Sequence, residues 1–177
     1  MTDVPDTLSP PTITVTQPER DPVRVGTADF KLFAYSVKVL CGEQQAAGCC
    51  GCAPVRPGRY ATEINIHNPG AKEARVLLRP IPLVLAGAAS GRAPAFNAAS
   101  KSSSMRLAAH SATMTDCCRI SELLFGAPVQ GSLPLTIGML EVLSTAELAV
   151  TAVYTASEGS MAPALVVNQI VPRLLSP

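Results

Sequence analysis

Residues 57–70 read Pro-Gly-Arg-Tyr-Ala-Thr-Glu-Ile-Asn-Ile-His-Asn-Pro-Gly, and this stretch decides the fold class. Tyr60, Thr62, Ile64 and Ile66 alternate with Arg59, Glu63, Asn65 and His67. Side chains along a strand point to opposite faces in turn, so a period of two predicts a half-buried β-strand. Asn68, Pro69 and Gly70 then supply the residue types that close a turn.

The same period extends outward from this strand. Upstream, Phe33, Tyr35, Val37, Val39 and Cys41 share one parity, while Ala34, Ser36 and Lys38 share the other. Downstream, residues 74–78 read as a strand that residues 83–85 continue. Pro80 and Pro82 force it to an edge or into a bend, because proline donates nothing to a ladder. A loop rich in Gly, Ala and Ser covers residues 86–104, and residues 105–110 form a short strand. Residues 135–143 and 148–155 look like a hairpin turning at Ser144, Thr145 and Ala146. The last strand spans residues 165–171.

One helix interrupts the series. Asp116 is the N-cap, Ile120, Leu123 and Leu124 make an apolar stripe, and Gly126 with Pro128 ends the turn. Nothing repeats at a fixed period, which excludes a solenoid. About seven short strands with turn signals between them predict an all-β fold. Its expected form is an immunoglobulin-like antiparallel β-sandwich with one short helix, and a barrel is the alternative. The apolar rows between Phe33 and Val171 should face inward between two layers, with the separated sulfur atoms gathered at one end.

The sandwich domain occupies residues 29–177, and residues 1–28 form an N-terminal extended arm rich in Pro, Thr and Asp. Most of the arm is unsuited to building a core. Within it, Thr12, Ile13, Thr14, Val15 and Thr16 alternate like a strand between Pro10-Pro11 and Pro18. Such a segment can add itself to the open edge of another sheet.

The 177 residues suffice for one domain with a hydrophobic core. Charged residues make up only 15%, where about a quarter is usual, so part of the surface is expected to be covered by another copy or another protein. A net charge of +1 and the absence of Trp argue against nucleic acid, which needs a basic stripe or stacking aromatics. No apolar run reaches the roughly 20 residues of a transmembrane helix. The acidic, Pro-containing start, Met1-Thr-Asp-Val-Pro-Asp6, shows no signal peptide. The compartment is therefore cytoplasmic by default, and extracellular if the cysteines are disulfide-bonded.

The Pro57-Gly-Arg-Tyr-Ala-Thr-Glu-Ile-Asn-Ile-His-Asn-Pro-Gly70 strand, together with Ala152-Val-Tyr-Thr-Ala156, resembles a group of small bacterial β-sandwich proteins. The Cys41-Gly42 and Asp116-Cys117 pairs fit the same resemblance. It covers residues 30–170 and implies the sandwich fold, with no activity attached. Cys49-Cys50-Gly51-Cys52 is additional to that pattern.

Six cysteines fall in three places: Cys41, then Cys49, Cys50 and Cys52, then Cys117 and Cys118. Three readings compete. Cys41 paired with Cys117 or Cys118 would staple the helix to the first core strand, while adjacent cysteines rarely bond each other. Alternatively, thiolates at residues 41–52 and at the helix start could bind zinc, copper or an iron–sulfur cluster. Only one side offers a knuckle-like spacing, in Cys49-Cys50-Gly51-Cys52. Cys41, on the apolar parity of its strand, could also simply be buried.

Catalytic patterns are weak. His67 shares its face with Glu63 and Asn65, as on an ordinary exposed sheet surface. His110, Ser111 and Asp116 contain triad residue types, but no Gly-x-Ser-x-Gly elbow accompanies them. No phosphate loop or dinucleotide fingerprint occurs. The sequence therefore reads as that of a non-catalytic structural or interaction protein that self-assembles through its arm. A cysteine-cluster metal-binding or redox-responsive module is the second reading.

Overall fold

The computed structural model describes residues 31–45, 53–89, 101–129, 131–158 and 163–175. The segment 12–16 and the cysteines at 49, 50 and 52 lie outside them. The first half of the described chain forms β1 (Leu32–Gln44), β2 (Gly58–His67), β3 (Ala74–Leu85), β4 (Ala88–Ala89), β5 (Ser103–Leu107) and β6 (Ala112–Asp116). Then follow α1 (Cys117–Phe125), β7 (Thr136–Ser144), β8 (Ala149–Ser157), β9 (Ala164–Ile170) and β10 (Arg173–Leu175). All pairings between these strands are antiparallel, so the fold is all-β with one short helix.

The strands form two ladders joined through β1. In the first, β7 lies between β1 and β3; β10 continues β1 at Leu32, Phe33 and Ala34, and β5 and β4 flank β3. In the second, β2 lies between β8 and β6, and β9 follows β8. The end of β1, Gly42 to Gln44, leaves the first ladder and pairs with Tyr60 to Gly58 of β2. Tyr35, Val37, Val39 and Cys41 of β1 are buried in one cluster with Ile64 and Ile66 of β2, Leu140 and Val142 of β7, and Val150 of β8. Burying each such aliphatic side chain contributes about 2 kcal/mol. The strict alternation in β1 and β2 is what places these residues on the shared side.

Gly42 makes the transfer of β1 possible. Its φ is +92°, and a Cβ built there would stand 2.5 Å from the carbonyl oxygens of both Leu133 and Pro134. Gly42→Ala should therefore cost about 3 kcal/mol, from left-handed strain plus displaced backbone. Gly87→Ala is the control: φ is +79°, yet nothing lies within 4 Å of its Cβ, so about 1 kcal/mol is expected. Urea unfolding of the two variants beside the parent measures both values; equal losses would refute the packing argument.

The helix follows its sequence signals. Asp116 accepts a hydrogen bond from the Arg119 N–H at 2.9 Å, and Gly126, at φ 80°, closes the far end on the Glu122 carbonyl. Ile120, Ser121, Leu123 and Leu124 are its buried residues. Pro80 and Pro82 lie where β3 is an edge, after β5 has ended at Leu78 and before β4 begins at Val84. The register against β7 shifts between Pro82 and Val84.

Three sequence expectations require correction. β7 and β8 are not a hairpin: β7 pairs with β1 and β3, and β8 with β2 and β9. Thr145 is latched to β3, donating its N–H to the Arg75 carbonyl and accepting from the Arg75 N–H. Further on, the Tyr35 hydroxyl donates to the Leu148 carbonyl at 2.9 Å and accepts its N–H at 2.6 Å. The segment between therefore crosses from one ladder to the other. Burial raises the Tyr35 phenol above its ordinary pKa, and the Leu148 hydrogen bond opposes this.

The strand expected at 105–110 is β5, which starts earlier, at Ser103, and ends at Leu107; residues 108–111 turn the chain into a further strand, β6. There His110 adopts φ 56° and the Ser111 hydroxyl donates to the Ala108 carbonyl. Ten strands are present among the described residues rather than about seven, because β4, β6 and β10 add short pieces.

Candidate functional site

Two features of the described residues bear on function: the buried joint between β1 and the helix, and the outer strand β9. At the joint, Cys41 points inward from β1 and is fully buried. Cys117 opens α1 directly after the Asp116 cap, and the two form a disulfide with their Cα atoms 5.7 Å apart. In this state neither sulfur is a thiolate. The Cys117 Sγ accepts the Thr62 N–H at 3.1 Å. The Thr62 hydroxyl in turn accepts the Leu40 N–H at 3.0 Å and donates to the Leu40 carbonyl at 2.9 Å. This buried threonine thus stands in for a strand partner where β1 begins to leave the first ladder.

Cys118 is a free thiol at the surface and takes no part in the joint. Among the described residues no three His, Cys, Asp or Glu side chains group closely enough to hold a metal ion. His67 is exposed at the end of β2, and His110 is exposed in its turn. Among the described residues no helix is long and apolar enough to cross a membrane.

The second feature was missed in the sequence. β9, Ala-Leu-Val-Val-Asn-Gln-Ile, was expected to turn its apolar row inward, but Leu165, Val166 and Val167 are 64%, 52% and 58% exposed. β9 is last in the strand order with β8 as its neighbour, and residues 164–169 are exposed, so that among its residues Ile170 is the one that packs against the main cluster. Apolar exposure continues past it, at Val171 and Leu174. Register places Val167 opposite Val153 and Leu165 opposite Thr155, extending the weakly polar face across β8. Three successive apolar residues, in place of alternation, were the available signal that both faces of this strand are apolar.

The arrangement defines an all-β antiparallel protein with a disulfide-stapled helix and, among the described residues, an exposed apolar edge strand, β9. Beyond that class, no family model, curated protein or solved structure matches the chain.

Proposed function

We propose that this is a non-catalytic structural or interaction protein, built as an immunoglobulin-like sandwich, that self-assembles by donating the strand-like segment 12–16. The observation that carries the reading is the exposed run Leu165, Val166 and Val167 on the outermost strand. An exposed edge strand offers unpaired N–H and C=O groups to any passing strand, and folded proteins ordinarily guard it with charge, proline or a bulge. Apolar side chains beside such groups mark an interaction surface. The low charge of the whole chain supports the same reading. The layered form is supported by the main buried cluster, to which strands of both ladders contribute.

Deletion of residues 1–20 tests this. Light scattering should show an assembly for the intact chain and a single chain for the truncated one. An unchanged particle size defeats the proposal.

A further inference from the structure

We infer that the open edge of β9 is the acceptor for residues 12–16, which add to it as a further strand; this rests on the donated-arm reading above. The described strands offer several edges, and chemistry separates them. β5 is five residues long and carries Arg106. β6 is also five long and ends in Asp116, which is committed to capping α1. The outer side of β1 beyond β10 is closed in part: the Thr62 hydroxyl occupies Leu40, and the Tyr154 hydroxyl donates to the Lys38 carbonyl at 3.0 Å.

β9 differs on every count. It has seven residues, and neither it nor β8 contains a charge or a proline. These are the guards an edge strand ordinarily carries. Alternate side chains of an added strand meet alternate faces of its neighbour. With Ile13 and Val15 on one face and Thr12, Thr14 and Thr16 on the other, segment 12–16 has one apolar and one polar row to lay beside β9.

The chain geometry allows the meeting. The described residues begin at Lys31, and the next residue, Leu32, pairs with Leu175 of β10. β10 starts after only Val171 and Pro172 have followed β9. The chain outside the described body therefore departs beside the far end of β10, five residues past the end of β9 at Ile170, at most about 17 Å of extended chain away. From Thr16 to Lys31 is 31 − 16 = 15 residue steps, a reach of about 50 Å when extended. The seven residues of β9 span only about 23 Å.

Amide hydrogen exchange across the molecule tests the acceptor. It should compare the intact chain, the chain lacking residues 1–20, and an Ile13→Lys/Val15→Lys variant, with particle mass measured on the same samples. Amides of β9 should exchange at least about ten-fold faster in both altered proteins than in the intact one, while β2 and β7 stay unchanged. Equal β9 exchange in all three proteins overturns the inference, as does protection gained at β5 or β6 instead. If mass falls on deletion but β9 exchange does not change, assembly stands and this acceptor is wrong. If every sample is a single chain yet β9 is protected by residues 12–16, the acceptor stands and the segment docks within its own chain.

Discussion

Replacing Cys41 and Cys117 together with alanine should lower the unfolding free energy by about 4 kcal/mol. The bond closes a loop with a sequence separation of 76 residues, and restricting a loop of that length in the unfolded chain is worth about 4 kcal/mol in the chain-entropy account. The native state loses something as well. Cys41 is fully buried in the main cluster, so its truncation leaves unfilled space. The Thr62 N–H loses its sulfur acceptor. Denaturant unfolding of the double variant beside the parent, without reductant, measures the difference, and treating the parent with reductant should reproduce most of it. A loss below about 1 kcal/mol would show that the staple carries little of the stability.

Asn68→Ala should cost about 3 kcal/mol without any loss of apolar core. Asn68 is fully buried at the end of β2. The two hydrogens of its Nδ2 group are shared among the carbonyls of Lys72, Leu107 and Ala108 at 2.8, 3.1 and 3.0 Å, and its Oδ1 accepts the Gly70 N–H at 3.0 Å. One side chain thus ties the turn after β2 to the turn between β5 and β6. Its own backbone N–H adds a bond to the Ser111 carbonyl at 2.9 Å. Truncation removes the donor from the buried Leu107 carbonyl and from the part-buried Lys72 and Ala108 carbonyls, and the acceptor from the Gly70 N–H, at about 1 kcal/mol each. Asn68→Asp should be worse than alanine, because a carboxylate would face the same three carbonyl oxygens. Thermal and urea melts of both variants check the size and the order; a stability for Asn68→Asp above that for Asn68→Ala would contradict the hydrogen-bond assignment.

Asn68 also shows what was legible in the sequence. As part of Asn68-Pro69-Gly70 it announced a turn, because those residue types favour turns wherever they occur. That it also anchors a second turn some forty residues away depends on the fold. The same division runs through the molecule. β2 could be read because Ile64 and Ile66 alternate strictly with polar residues, and α1 because Asp116 and Gly126 mark its ends. The turn between β5 and β6 could not, since Ala108, Ala109, His110 and Ser111 include no glycine, proline or asparagine. The reversal after β7 was visible in position. Which ladder the chain would join next was set by Thr145 on Arg75 and by Tyr35, a side chain 113 residues from its partner Leu148.

The cysteine joint was half legible. Parity placed Cys41 inward, and the cap placed Cys117 and Cys118 at the helix start, but the choice between them depends on helix phase. Cys117 precedes the buried Ile120, Ser121 and Leu124 by three, four and seven residues, and so lies on the packed face. Cys118 falls about 100° further round, toward solvent. The edge strand was legible as a strand only. Nothing local in Leu165-Val166-Val167 distinguishes a strand covered on both faces from one left bare, because that depends on its place in the sheet.

Self-assembly, as proposed, joins copies of this chain through donated strands. The molar mass of the intact protein in solution, by light scattering over a range of concentrations, tests it most directly. Assembly through donated strands gives a mass of at least twice the 18.4 kDa chain. A mass of one chain at every concentration would contradict it.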